Sequence, residues 1–193
     1  GGPKACHMLV EGHEKTVIRE LLRREMVVLI PASMGVRDSS GRLITGGLFA
    51  VPHKDASDRV INDRRPFNSW ESRLAWAELP RGSMLTQIIV PPGCKIRGSG
   101  DDLQNYFYTL KHLGDWLTRN TVGGIISGEG FEDFGALADS EYLVAFRIIC
   151  VGDLNAVDIS QQARMDILLD AGCVLEDETL KYGSPLPSGS TFE

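Results

Sequence analysis

The longest apolar runs in this chain, such as residues 26–30 and 143–145, extend for only a few positions. A bilayer-spanning helix needs about 20 apolar residues, so no membrane span is expected and the chain is confined to short strands and amphipathic helices. Within residues 13–26, Val17, Ile18, Leu21 and Leu22 recur at helical spacing while Arg19, Glu20, Arg23 and Arg24 fill the other positions, which predicts a helix with one buried stripe. Residues 27–30 are short and β-branched, and Pro31 limits them to a strand-like exit.

Further along, glycines and serines from Arg37 to Gly47 mark turns around a short strand at residues 42–45. Residues 48–51 and 59–63 read as a hairpin whose tip carries His53, Lys54, Asp55 and Ser57. Residues 87–90 and 95–99 are further strand candidates. Residues 102–117 read as a helix with Leu103, Phe107, Leu110, Leu113 and Leu117 inward, which sets Asp101 and Asp102 at a strand-to-helix junction. Residues 123–134 are glycine-rich and loop-like. A strand at 142–150 precedes a helix at 156–169 with Ile159, Ala163, Ile167 and Leu168 in register, stopped near Gly172. Helix and strand are mixed without the regular alternation of a doubly wound fold, so the class expected is α+β.

At 193 residues and 42% hydrophobic content the chain can bury one sizeable core. Its net charge of −6 argues against binding nucleic acid through overall charge but leaves room for a local basic groove. Cys6, Cys94, Cys150 and Cys173 are widely spread, with no zinc-type spacing. Free thiols suit a reducing compartment, cytoplasmic or nuclear. The start, Gly1-Gly2-Pro3-Lys4, lacks the basic-then-apolar design of a secretion signal, and both ends read as cuts.

Three segments carry chemistry. Lys54 and Arg59 flank the hairpin tip, where two cations can grip a polyphosphate, the lysine as a point charge and the arginine as a fork; the plainer reading is a solvated charge run. Adjacent Asp101 and Asp102 offer oxygen ligands of the kind Mg²⁺ prefers, although an aspartate at a helix start is also a common cap. Gly152, in the run from Arg147 to Ala156, lets a strand turn closely past a ligand before a helix begins, or simply makes the turn.

In order and separation these three segments resemble the reverse transcriptases. The pattern Arg-x-x-x-Asp-x-Arg-x-x-Asn, met here as Arg59, Asp63, Arg65 and Asn68, resembles the family's fingers. The resemblance implies that Lys54 and Arg59 contact the triphosphate of the incoming nucleotide, with His53 as the alternative because the tip is a residue shorter than in retroviral relatives. Asp63, Arg65 and Asn68 would shape the pocket or the template path. Asp102, followed by Leu103 and by Phe107 five positions on, resembles the first palm motif, which implies Asp102 as catalytic metal ligand and Phe107 as the aromatic platform under the sugar. Asp101 breaks that spacing. Gly152 and Asn155 match the next palm motif, while Val151 and Val157 stand where Gln and Pro are usual. The wording of these segments is most similar to divergent retroelement polymerases of protists, dinoflagellates among them.

The fold so implied is a truncated right-hand polymerase with an antiparallel sheet packed by helices, fingers-like at 1–93 and 112–147 and partial palm at 94–111 and 148–193, interleaved as one structural unit. The activity implied is RNA-directed DNA polymerisation, in which deoxynucleoside triphosphates extend a primer on an RNA or DNA template. Nucleotidyl transfer of this kind uses two Mg²⁺ ions held by carboxylates of two segments. The x-Asp-Asp motif that supplies the second set is missing, as is a thumb, so the metal site is expected to be incomplete and the chain inactive alone. The rival readings are a degenerate, non-catalytic relative that binds nucleic acid and an unrelated α/β binding module.

Overall fold

The computed structural model describes residues 2–9, 12–54, 57–74, 79–100 and 102–187. The chain divides into two compact units, each discontinuous in sequence: Gly1–Ser72 with Asn105–Ala156, and Arg73–Gln104 with Val157–Glu193. The fold is α+β with antiparallel sheets.

The first unit is organised by strand β5 (Glu141–Phe146), which lies between β1 (Val27–Pro31) and β4 (Thr121–Ser127) and is antiparallel to both. Its side chains alternate between faces. Val144 and Phe146 join Val27, Leu48, Val122 and Ile148 against Ile18 and Leu21 of helix α1 (Glu14–Arg23). Leu143 and Ala145 point the other way and pack with Ile30, against which Val28, Leu43 and Leu117 lie. The predicted helical stripe is therefore the face that covers the sheet. Helix α1 ends with Glu25 in the left-handed region at φ 55, its N–H reaching Leu22 while that of Met26 reaches Leu21, which returns the chain into β1.

The predicted hairpin is formed by β2 (Gly47–Lys54) and β3 (Ser57–Asp63), longer than the sequence pattern indicated, with Val51 opposite Arg59 and a register shift between Pro52 and Lys54. Asp55 of the tip lies outside the described residues. Alongside β2 runs the N-terminal segment, with the Met8 N–H on the Leu48 carbonyl and the Leu48 N–H on His7 Nδ1. Gly47 permits that approach, since a Cβ there would collide with the Cys6 carbonyl.

Several local expectations are overturned. Residues 123–134 are not one loop: β4 runs through Gly123 and Gly124, which sit in a bulge between Val122 and Ile126 with Gly123 at φ 70. The helix expected at 102–117 is only a turn, α3 (Tyr106–Thr109), because Leu110 turns extended and Lys111 and His112 pair with the strand-like stretch Arg147–Ile149. A 3₁₀ turn, Gly114–Arg119, follows. Residues 42–45 form an isolated bridge, Leu43 to Arg37, closed by Asp38 accepting the Ser40 and Arg42 N–H groups. The strand expected at 142–150 stops at Phe146.

In the second unit, residues 95–99 have no regular structure, and residues 82–87 form a 3₁₀ turn, Gly82–Gln87, that leaves Ile89 fully exposed. Its long helix, α4 (Ala156–Asp170), begins at the last residue of the first unit and ends as expected at Gly172. There φ is +66, the Cys173 N–H reaches Leu168 and the Gly172 N–H reaches Leu169. Of the inward stripe expected on α4, Ile159, Ala163 and Leu168 are half-buried and Ile167 is exposed, so none of the four is fully buried. Among the described residues no helix is long and apolar enough to cross a membrane.

Because Leu143 is wholly buried in the strand that both neighbours pair with, Leu143→Ala is expected to cost about 2–5 kcal/mol of stability. Urea unfolding of the two proteins measures it, and a change below 1 kcal/mol would contradict this account of the core.

Candidate functional site

The site is built where the hairpin returns to the domain. Strand β3 ends at Asp63, Arg64 turns the chain at φ −88, ψ 7 and Arg65 opens the next helix, so Asp63 and Arg65 pair with each other while the Arg64 side chain is buried. The Asp63 carboxylate is buried and accepts the Cys6 N–H at 2.6 Å, the Arg65 N–H at 3.2 Å and the Arg65 guanidinium at 2.6–3.1 Å. The Arg65 side chain holds that carboxyl down to about 2, below its ordinary 3.8, helped by the backbone donors Cys6 and Arg65 and opposed by burial. Arg65 itself is exposed and also reaches the Lys4 carbonyl at 3.4 Å.

Asp63 and Arg65 line a pocket of about 220 Å³ together with Cys6, Phe49, Ile61, Asn62, Arg64 and Gly152. Three residues expected at the nucleotide, Asp63, Arg65 and Gly152, are thereby brought together. Gly152 is at φ +109, where a side chain is strained, and a Cβ would come within 3.0 Å of the Asn62 carbonyl. Asn68, at the end of the single-turn helix α2 (Arg65–Asn68), does not point freely into a template path. Its Nδ2 donates to the Gly152 carbonyl at 2.8 Å and its Oδ1 accepts the Leu154 N–H at 3.3 Å. Asn155 is buried, its N–H on Asp153 Oδ1 at 2.9 Å and its Nδ2 on the Ser72 carbonyl at 3.1 Å, so its side chain serves the turn.

Lys54 and Arg59 stand exposed on the hairpin, near its tip. Arg59 Nη2 lies 3.1 Å from His53 Nε2; since a guanidinium only donates, the histidine nitrogen accepts. Phe107 is half-buried in α3, whose Tyr108 packs on the core. Burial, and after it Cys150, raises the Tyr108 phenol, while Arg59 opposes them.

Asp102 belongs to the second unit and is exposed, in a stretch without regular structure. It does not cap a helix, since the residue preceding α3 is Asn105 in the left-handed region. Asp101 lies outside the described residues. Among the described residues no group of three or more His, Cys, Asp or Glu side chains could hold a metal ion, and no chemical step is assigned to a metal.

What the sequence reading missed is a buried polar cluster behind the pocket. Arg64, the largest fully buried side chain, meets Glu71 Oε1 at 2.6 Å, Asp153 Oδ2 at 3.3 Å and the Arg119 carbonyl at 3.2 Å. His112 Nε2 lies 4.0 Å from Asp153, and burial first, then Arg64, lowers its pKa. Arg64 and Arg65 adjoin in the sequence, and nothing in their spacing marks Arg64 as the buried one.

No family model and no curated protein matches the sequence. The structure is similar to that of a foamy viral protease–reverse transcriptase solved in complex with double-stranded DNA, with a TM-score of 0.53 and 16% identity, covering 88% of this chain and 25% of that one. At that identity the likeness concerns the fold alone: the fold is similar to part of that structure, and the chain spans a quarter of that protein's length.

A depressed carboxyl contributes stability that is present above its unfolded value and lost as pH falls through its folded value. For Asp63 the window runs from 3.8 down to about 2, and with an exposed partner the contribution is about 1–2 kcal/mol. Asp63→Asn should therefore be less stable near neutral pH and lose that much of the acid-side slope in urea titrations. An unchanged slope would dissociate Asp63 from acid stability.

Proposed function

We propose that this chain is a fingers and partial-palm piece of an RNA-directed DNA polymerase of a retroelement, and that the β2–β3 hairpin with the pocket at its base receives the incoming deoxynucleoside triphosphate. The observation that carries the reading is the convergence of Asp63, Arg65 and Gly152 on one pocket below a hairpin bearing Lys54 and Arg59, in a fold similar to a reverse transcriptase. In this reading residues 1–93 and 112–147 serve as fingers, and 94–111 and 148–193 as palm.

The roles follow from the chemistry of each side chain. Lys54 and Arg59 are exposed cations near the hairpin tip and suit a triphosphate, Arg59 once its contact with His53 is exchanged for phosphate oxygens. Asp63 holds the Arg65 guanidinium against the pocket wall, leaving Arg65 to face base or template. Gly152, without a side chain, lets a ligand approach the backbone. Phe107 is the candidate sugar platform and Asp102 one candidate Mg²⁺ carboxylate. The partners in this reading are a primed RNA or DNA template and deoxynucleotides. The matching foamy viral protein was solved with double-stranded DNA, which is consistent with a nucleic-acid partner.

The test is deoxynucleoside triphosphate binding by the purified chain, measured by calorimetry. Arg59→Ala should weaken binding about tenfold, the loss of one charge-assisted contact, while primer extension with Mg²⁺ should be negligible. Binding unaltered by Arg59→Ala would favour an unrelated module, and robust extension would refute the proposed incompleteness of the catalytic centre.

A further inference from the structure

The cluster behind the pocket has a geometry that core filling alone does not demand. Arg64 is 2% exposed, and each nitrogen of its fork faces a different part of the chain: Nη2 meets Glu71, Nη1 the Arg119 carbonyl and Nε Asp153. Glu71 and Asp153 are almost as deeply buried. The guanidinium also lies over the Phe67 ring at 5.7 Å. Lysine, a point charge on a flexible stem, cannot span three directions at fixed spacing, whereas a planar fork can.

Asp153 is the hinge of the arrangement. One carboxylate oxygen faces Arg64 and the other accepts the Asn155 N–H at 2.9 Å, closing the turn that follows Gly152. The same turn is held by Asn68, through the Gly152 carbonyl and the Leu154 N–H, and by Asn155, through the Ser72 carbonyl. All of these contacts come from the segment that leaves the hairpin, residues 64–72. Asp63 and Arg65, on the pocket side of that segment, share the wall with Gly152.

We propose that Arg64 is a positioning residue: by bracketing Asp153 and Glu71 from inside the domain, it fixes the Gly152–Asn155 turn against the wall formed by Asp63 and Arg65 and so sets the shape of the nucleotide pocket. The inference rests on the nucleotide reading of that pocket. A buried ion pair is a poor source of net stability, because desolvation cancels much of the attraction, and apolar replacement of all members is often neutral. The bracket's value is therefore geometric, which gives a test that separates position from stability.

The test uses the whole chain with Arg64→Lys and with the triple replacement Arg64→Met, Glu71→Leu, Asp153→Leu. Hydrogen exchange at the Leu154 amide, whose acceptor Asn68 is untouched, is read against the Val144 amide in β5, and dATP affinity is measured in parallel. The triple variant is expected to unfold cooperatively, to exchange at Leu154 at least about tenfold faster with Val144 unchanged, and to bind dATP at least about tenfold more weakly. Arg64→Lys should show the same direction at smaller amplitude. Should the triple variant fail to fold, Asp153→Asn, which keeps the volume and removes the charge facing Arg64, supplies the same comparison. A folded variant with Leu154 protection unchanged overturns the positioning role. Faster exchange with unaltered dATP affinity overturns the link to the pocket. If the wild-type chain binds no dATP, the nucleotide reading fails, and the exchange result still decides whether Arg64 positions the turn.

Discussion

The burial of β5 is the constraint on which the first unit depends. A strand paired on both edges and covered on both faces can carry no charge in its middle, and Leu143, Val144, Ala145 and Phe146 are all within 2% of complete burial. Their alternation decides what lies on each face: α1 closes one side, while Leu43 and Leu117 lie against the other. Once β5 is fixed, β1 and β4 have defined registers. The chain leaving β4's far side at Gly46, which pairs with Val122, enters β2 at a fixed height. The hairpin is thus held at its root by the sheet, although its tip is exposed.

The turn from β3 into α2 explains why the pocket and the ionic cluster are neighbours. Strand β3 ends in Asp63, followed by Arg64 and Arg65, three consecutive charged residues. Arg64 leaves the extended conformation at φ −88, ψ 7 and Arg65 opens α2, so the outer pair meets in a salt bridge at the pocket wall while the side chain of the middle arginine lies inside. Burying a guanidinium is costly unless it is paired and hydrogen-bonded: Glu71 and the Arg119 carbonyl accept from Nη2 and Nη1, Asp153 stands at ion-pair distance from Nε without a hydrogen bond, and these three partners come from separate segments. A local sequence feature is thereby turned into a long-range constraint on the turn after Gly152.

How far this was legible in the sequence depended on the range of the determining interaction. Helix α1 and the hairpin follow from periodicity within a window and were foreseen; the extent of α4 was foreseen too, but Ile167 of its expected stripe is exposed. Strand β4 was not, because its glycines are accommodated by a bulge that exists only once β5 is beside it. The helix expected from Leu103 to Leu117 had the right spacing, yet Lys111 and His112 pair with Arg147–Ile149, and a cross-chain pairing overrides a local preference. At the site, the resemblance singled out Asp63, Arg65 and Gly152, which line one pocket, and Arg59, which does not line it. The inner partners of Arg64 have no mutual spacing in sequence that could have revealed them.

The acidic balance of the chain is compatible with a site for anions because the local arrangement, not the sum, sets the field. The −6 net charge includes carboxylates that are already engaged: Asp63 with Arg65, Glu71 and Asp153 with Arg64, Asp133 with Arg19. Near the hairpin tip Lys54 and Arg59 are exposed, and among the described residues neither has a carboxylate within ion-pair distance. Below them, Arg65 keeps its guanidinium in place through a carboxylate with little tendency to take up a proton. The net charge of the chain thus does not describe the hairpin, where Lys54 and Arg59 are exposed while Asp63, Glu71 and Asp153 are held by arginines.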